Sequence, residues 1–182
     1  MNEEIQQLEK AIYELKTKLS EARAGAVPQP VEDYALVGAA GEIRLSELFG
    51  DKSNLLTVHN MGRGCPYCTL WADGLNGLLK HIEERTAFVV VSPNTPEIQA
   101  EFAVSRGWKF RMASDASGDF TRAMGFLPDG KYWPGVSAFH KSDDGSITRT
   151  NFTFFGPGDD FCSVWPLFEL LPVGAKGWEP SL

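Results

Sequence analysis

The sequence predicts an α/β protein, a three-layer α/β/α sandwich around a central mixed sheet, with a separate N-terminal helix ahead of it. Three observations carry that reading. Residues 54–58 and 87–91 are strand-like runs without polar alternation, as expected of strands covered on both faces. A stretch with helical apolar spacing follows each of them. Residues 136–140 and 146–155 read as two further strands, joined by Asp143-Asp144-Gly145, a strong hairpin signal. At 182 residues the chain suits one domain with a sizeable core and an appended element.

The elements follow in order. Ile5, Leu8, Ile12, Leu15, Leu19 and Ala22 recur at alternating intervals of three and four, the a/d seam of a two-stranded coiled coil. Gly25 and Pro28 stop that helix. Residues 1–26 are therefore read as an amphipathic coiled-coil helix and 27–182 as the α/β domain. Such a helix is marginal alone in water, so its seam needs a cover. A homodimer through paired helices is expected, narrowly ahead of a helix folded back on its own domain.

Residues 27–31 form a Pro-containing linker. Residues 34–37 and 43–45, around Gly38 and Gly41, read as a short hairpin, and Ser46 is placed to cap a helical turn through Leu48 and Phe49. After the strand at 54–58 comes Met61-Gly62-Arg63-Gly64-Cys65-Pro66-Tyr67-Cys68, then a helix with Leu70, Trp71, Leu75, Leu78, Leu79 and Ile82 on one side. Beyond residues 87–91, Thr95 is placed to cap a helix that starts with Pro96 and ends at Arg106 before Gly107. Residues 108–113 read as extended and 118–124 as a short helix. The last helix is expected from Asp159 or Asp160, disturbed by Pro166.

Composition narrows the function. Lysine and arginine number 17 against 24 acidic residues, a net charge of −7, and no basic cluster interrupts the acidic balance. Neither a nucleic-acid binder nor a binder of anionic membranes is expected. Met1-Asn2-Glu3-Glu4 lacks the basic flank and apolar core of a secretory signal, and the apolar runs are too short to span a membrane. Three cysteines are too few for a disulfide-stapled scaffold. The expectation is a cytoplasmic protein whose closely spaced cysteines are reactive rather than structural.

Cys65 and Cys68 sit where a buried strand hands over to a helix. Pro66 suits the first helical position, where its missing N–H costs nothing, which makes Cys65 the N-cap. Its sulfur then faces free backbone N–H groups and the positive end of the helix dipole. Those contacts favour a thiolate and lower the pKa, with Arg63 expected to add to the effect. Cys68, one turn deeper on the same face, is placed to resolve a mixed disulfide at Cys65. The rival is a zinc site. It needs four ligands, and Cys162, His59, His81 and His140 offer no recognisable spacing. No metal and no cofactor beyond the protein thiols is required.

Other residues carry two readings each. Asp73 assists proton transfer at Cys68 or is a solvated helix carboxylate; Trp71 shelters Cys68 or packs the core. His59 touches the dithiol or is a hydrogen-bonded structural histidine. Gly74 and Gly77 suggest close approach of another backbone. Cys162 is a small core residue or a resolving or regulatory thiol. Alternation places Phe152 and Phe154 on one sheet face, with core as the default.

This element order and these residues resemble the thioredoxin fold. Cys65-Pro66-Tyr67-Cys68 is identical to the glutaredoxin dithiol, though its surroundings are unlike glutaredoxin. Residues 34–56, and Asp115 followed by residues 118–125, resemble the peroxiredoxin and redoxin branch. The closest likeness is to an uncharacterised thioredoxin-like family of predicted dithiol–disulfide oxidoreductases. Its members similarly combine an N-terminal helix, a Gly-Cys-Pro-x-Cys segment, a stretch like Trp71-Ala72-Asp73 and a strand like residues 88–92. The resemblance implies dithiol exchange, with a disulfide or oxidised-thiol substrate and a thiol reductant as partners. It also implies a cis peptide at Pro134, ahead of the strand beginning at Gly135, leaving backbone exposed for substrate pairing. Two departures stand out. Gly62, Arg63 and Gly64 replace the Pro and Thr that precede a peroxidatic cysteine, and Gly64 stands where thioredoxin has Trp. Thiol peroxidase is thus the second reading. A non-enzymatic redox-sensing module, dimerising through its N-terminal helix, is the third.

Overall fold

The computed structural model describes residues 2–182. Helix α1 (Glu3–Ala24) begins where the Asn2 side chain accepts the Glu4 N–H at 3.0 Å, and it stops at Gly25. Then come β1 (Gln29–Val31), β2 (Ala35–Gly38), β3 (Gly41–Arg44), α2 (Leu45–Leu48), β4 (Asn54–His59), α3 (Pro66–Arg85) and β5 (Ala87–Ser92). The second half runs α4 (Pro96–Arg106), β6 (Arg111–Ser114), α5 (Asp119–Ala123), β7 (Gly135–Lys141), β8 (Ile147–Phe154) and α6 (Val164–Phe168). All eight strands join one mixed sheet in the order β1-β8-β7-β4-β5-β6-β2-β3.

Strand β4 lies inside this sheet, parallel to β5 and antiparallel to β7. Its alternation splits the core in two. Leu55, with Val89, Val91 and Phe139, faces Phe49 beside α2 and Phe120 of α5. Val58, with Phe88 and Val90, faces Trp71 and Leu79 of α3 and Trp165 of α6. Both faces of the sheet are therefore buried, which is why these strands carry no polar alternation.

Several local expectations are corrected. Residues 29–31 are not linker: they pair antiparallel with β8 as an edge strand, a position that tolerates Pro30. Ser46 does not cap α2. Its hydroxyl donates to Asp33 at 2.8 Å, and the Glu47 carboxylate takes the Arg44 N–H instead. Thr95 is the N-cap of α4, but its side chain makes no capping bond. The last helix starts at Val164, not at Asp159, and Pro166 fits because it lies in the first turn, where an N–H has no helical acceptor. Nothing approaches Gly74 or Gly77, whose missing side chains would meet open space. Phe152 and Phe154 are half exposed; they form an aromatic patch with Trp133 rather than core.

Candidate active site

Beyond His59 the chain leaves the sheet through a short loop braced by two asparagines. Asn60 N–H donates to the Val91 carbonyl at 2.8 Å, and its side-chain oxygen accepts the Gly62 N–H at 2.7 Å. The Asn94 side-chain oxygen, from the loop after β5, accepts the Arg63 N–H at 2.8 Å. Gly62 has φ of +104°, and a Cβ there would sit 2.8 Å from that Asn94 oxygen, so only glycine fits. The Cys65 N–H closes the loop on the Gly62 carbonyl at 3.1 Å.

Pro66 opens α3 and Cys65 is its N-cap, in the extended conformation the position demands. Cys65 Sγ accepts the Cys68 N–H at 3.1 Å, and Cys68 Sγ accepts the Met61 N–H at 3.4 Å. The Thr69 hydroxyl donates to the Cys65 carbonyl at 3.0 Å. Both cysteines are free thiols; Cys65 is half-buried and Cys68 buried.

The closeness of the two cysteine side chains moves their pKa values in opposite directions. The Cys68 side chain beside it is the largest influence bringing the Cys65 thiol from 9.0 to about 7; burial opposes it, and the Cys68 and Tyr67 amides assist. The Cys65 side chain in turn pushes Cys68 strongly up, aided by burial and by the anion beside it. Arg63 takes no part. Its guanidinium lies 3.9 Å from Glu101, both side chains largely in solvent, so the expected cationic assistance is replaced by a thiol and amides.

The remaining candidates fall into place around this pair. Tyr67 stacks on Trp165 at 6.2 Å, and the Trp71 indole N–H donates to Asp159 at 3.3 Å. Trp71 is core, packed on Phe155 at 5.3 Å. Asp159 also accepts the Gly156 and Phe161 amides at 2.9 and 2.8 Å, so it shapes the loop that lays residues 155–165 over α3. A groove of about 690 Å³ opens beside Tyr67, with Glu9, Ile12, Asp160 and Trp178 in its walls. Cys162 is a buried member of the same cluster, and burial raises its thiol pKa.

Asp73 is not at the dithiol: it pairs with Arg106 and accepts the Trp108 indole N–H at 2.7 Å, tying α3 to α4. His59 is structural. It is fully buried, stacked on Phe126 at 4.0 Å with Nε2 3.0 Å from the Ser137 hydroxyl, and burial, then Arg149, lowers its pKa to about 3. Pro134 does precede β7 at the dithiol end of the sheet, because Gly135 pairs with His59. Its peptide is trans, however, as are all described peptides. Its carbonyl accepts the N–H of Phe155, the residue after β8, at 2.9 Å, so that carbonyl is already paired.

Sequence reasoning missed Asn60, Asn94 and Asp159, whose work is to hold backbone. The one available signal was their position in loops beside strand ends, where Asn and Asp commonly bridge backbone groups. Among the described residues, no group of three or more His, Cys, Asp or Glu is arranged to hold a metal, and no helix is long and apolar enough to cross a membrane.

Helix-covered mixed sheet and dithiol loop together define a thioredoxin-like fold, and its solved neighbours place it beside the peroxiredoxins. The chain belongs to the family described as "Bacterial protein of unknown function (DUF899)", which matches residues 2–180. Among solved structures, the peroxidoxin BcpB of Mycobacterium tuberculosis is 27% identical with a TM-score of 0.55, over 67% of this chain and 82% of that one. Reduced Prx3 of Vibrio vulnificus, in complex with H2O2, is 16% identical with a TM-score of 0.59, over 72% and 88%. The bacterioferritin comigratory protein of Xanthomonas campestris is 20% identical with a TM-score of 0.53, over 71% and 87%. No curated protein matches the sequence.

Proposed function

We propose that this protein is a thiol–disulfide oxidoreductase, with Cys65 as nucleophile and Cys68 as resolving thiol. The observation that carries the reading is the placement of Cys65 as N-cap of α3, its Sγ accepting the Cys68 N–H at 3.1 Å, with its pKa lowered to about 7 and that of the buried Cys68 raised. The Cys65 thiolate attacks a substrate disulfide; its S–S bond breaks, one substrate thiolate leaves, and a mixed disulfide forms. At that moment the anion that helped to raise Cys68 vanishes. Cys68 then loses its proton more readily, attacks Cys65 Sγ and expels the second substrate thiolate. Two electrons pass to the substrate, and a thiol reductant must restore the Cys65–Cys68 disulfide to the dithiol. Such a cycle suits the cytoplasm, where thiols are kept reduced.

The test is disulfide reduction by wild type, Cys65→Ser and Cys68→Ser, with mass spectrometry of the products. Cys68→Ser should accumulate a mixed disulfide at Cys65, and Cys65→Ser should be inert. Equal turnover by all three would discard the assignment. A second reading, thiol peroxidase, is favoured by the similarity to peroxidoxin BcpB. There Cys65 would take an oxygen from peroxide to give a sulfenic acid, and Cys68 would condense with it, releasing water. Against it, none of residues 60–64 carries a hydroxyl to orient peroxide. Peroxide consumption, with trapping of a sulfenic acid in Cys68→Ser, separates the two.

A further inference from the structure

Helix α1 has no buried residue, and Ile5, Leu8, Ile12, Leu15 and Leu19 along its seam are each between 47% and 64% exposed. Five aliphatic side chains in one line from Ile5 to Leu19 make an apolar strip about 21 Å long. The domain leaves most of it uncovered: only Ile12 of the seam borders the groove next to Tyr67, and the other contacts of α1 with the domain are made by the flank beside the seam. Glu9 on that flank borders the groove next to Tyr67, Lys16 lies 2.6 Å from the Asp160 carboxylate, and the Arg23 carbonyl accepts from Asn151 at 3.1 Å. Glu4, Ala11 and Lys18 form the opposite, solvent-facing flank.

We propose that a second copy of this chain covers the seam, the two α1 helices packing antiparallel. Ile5 then meets the partner's Ala22, Leu8 meets the partner's Leu19, and Ile12 meets the partner's Leu15. Every seam residue finds an apolar counterpart in this register, and the two-fold axis passes between residues 13 and 14. Charge selects the direction. Antiparallel helices bring the outer flanks together, so that Glu4 of each copy faces the partner's Lys18, giving an attractive pair at both ends. Parallel helices pair an outer flank with an inner one. They set Glu4 beside the partner's Glu9 and Lys18 beside the partner's Arg23, which repel at both ends. This assembly is independent of the dithiol chemistry.

The experiment is sedimentation equilibrium of the full chain under reducing conditions, so that no intermolecular disulfide contributes. At tens of micromolar the mass should be twice the 20.1 kDa of one chain, and Leu8→Asp with Leu15→Asp should give monomer. The charge variants lie on an exposed flank and leave the fold untouched. Glu4→Lys should weaken the dimer about tenfold at low salt, and adding Lys18→Glu should restore it. A parallel pair behaves oppositely, because the reversed charge would then attract the partner's Glu9. A monomer at 100 µM or so, tighter association of Glu4→Lys, or a dimer that survives the Leu8→Asp, Leu15→Asp double substitution would each overturn the proposal.

Discussion

If the Cys68 thiol is the main support of the Cys65 anion, removing it should raise the Cys65 pKa even though the helix start is intact. The shift from 9.0 to about 7 is worth roughly 2–3 kcal/mol of preference for the anion, nearer 1–2 once water reaching a half-exposed sulfur is allowed for. In Cys68→Ala the two amides remain and the S–H donor is lost. The half-ionisation point should then move up by about one pH unit, and the thiolate share at pH 7 should fall from about one half to about one tenth. The assay is the pH dependence of Cys65 alkylation: a roughly fivefold slower rate at pH 7 and an unchanged plateau above pH 9 or so. Cys68→Ser keeps a hydroxyl donor and should stay near wild type. A midpoint unmoved in Cys68→Ala would refute the reasoning and assign the effect to the amides alone. The sign for stability follows. A pKa lowered on folding stabilises the reduced protein above the unfolded value near 9, and that contribution is lost as pH falls through about 7.

Two further outcomes test residues placed away from the dithiol. Asp73→Asn should lower stability by about 1–2 kcal/mol, through the weakened Arg106 and Trp108 contacts, while leaving the Cys65 alkylation profile unchanged; a displaced profile would return Asp73 to the chemistry. His59 is held neutral by burial, its pKa lowered from 6.5 to about 3, so the folded state resists a proton that the unfolded chain accepts. Stability should therefore fall with pH through that window by up to about 4–5 kcal/mol. Urea midpoints of His59→Phe should show a shallower acid slope than wild type, and equal slopes would exclude His59 as the cause.

What could be read from the sequence was what is local. The step from β4 to α3 is marked by apolar residues, then glycines, then Pro66, and these set the Cys65 N-cap without help from the rest of the chain. The hairpin at Asp143-Asp144-Gly145 is legible for the same reason, with Gly145 at φ of +85°. The misread elements depend on distant partners. Ser46 is taken by Asp33 from before the hairpin, and Asp159 is held through Trp71, 88 positions earlier, so no neighbouring residue announces either bond. Pro134 has the expected place ahead of β7 but a trans peptide, a geometry that no neighbouring residue announces. Arg63 is suggested by proximity along the chain, whereas its side chain turns to Glu101 on α4.

The same ionisation bears on whether the pair would donate or withdraw electrons. Stabilising the Cys65 anion stabilises the dithiol over the disulfide, and so makes the pair more oxidising. With a pKa of about 7, however, the gain at pH 7 is at most about 0.4 kcal/mol, the free energy of opening one equally populated second state, and less after solvent screening. On a scale where 30 mV is about 1.4 kcal/mol, that is under about 10 mV. The span between a reducing dithiol near −270 mV and a strong oxidant near −120 mV is about 150 mV, which this ionisation cannot bridge. A strongly oxidising potential would therefore have to come from strain in the disulfide or from contacts made only by the reduced state. The Met61 N–H bond to Cys68 Sγ is the contact to examine first, since it leans on the braced loop.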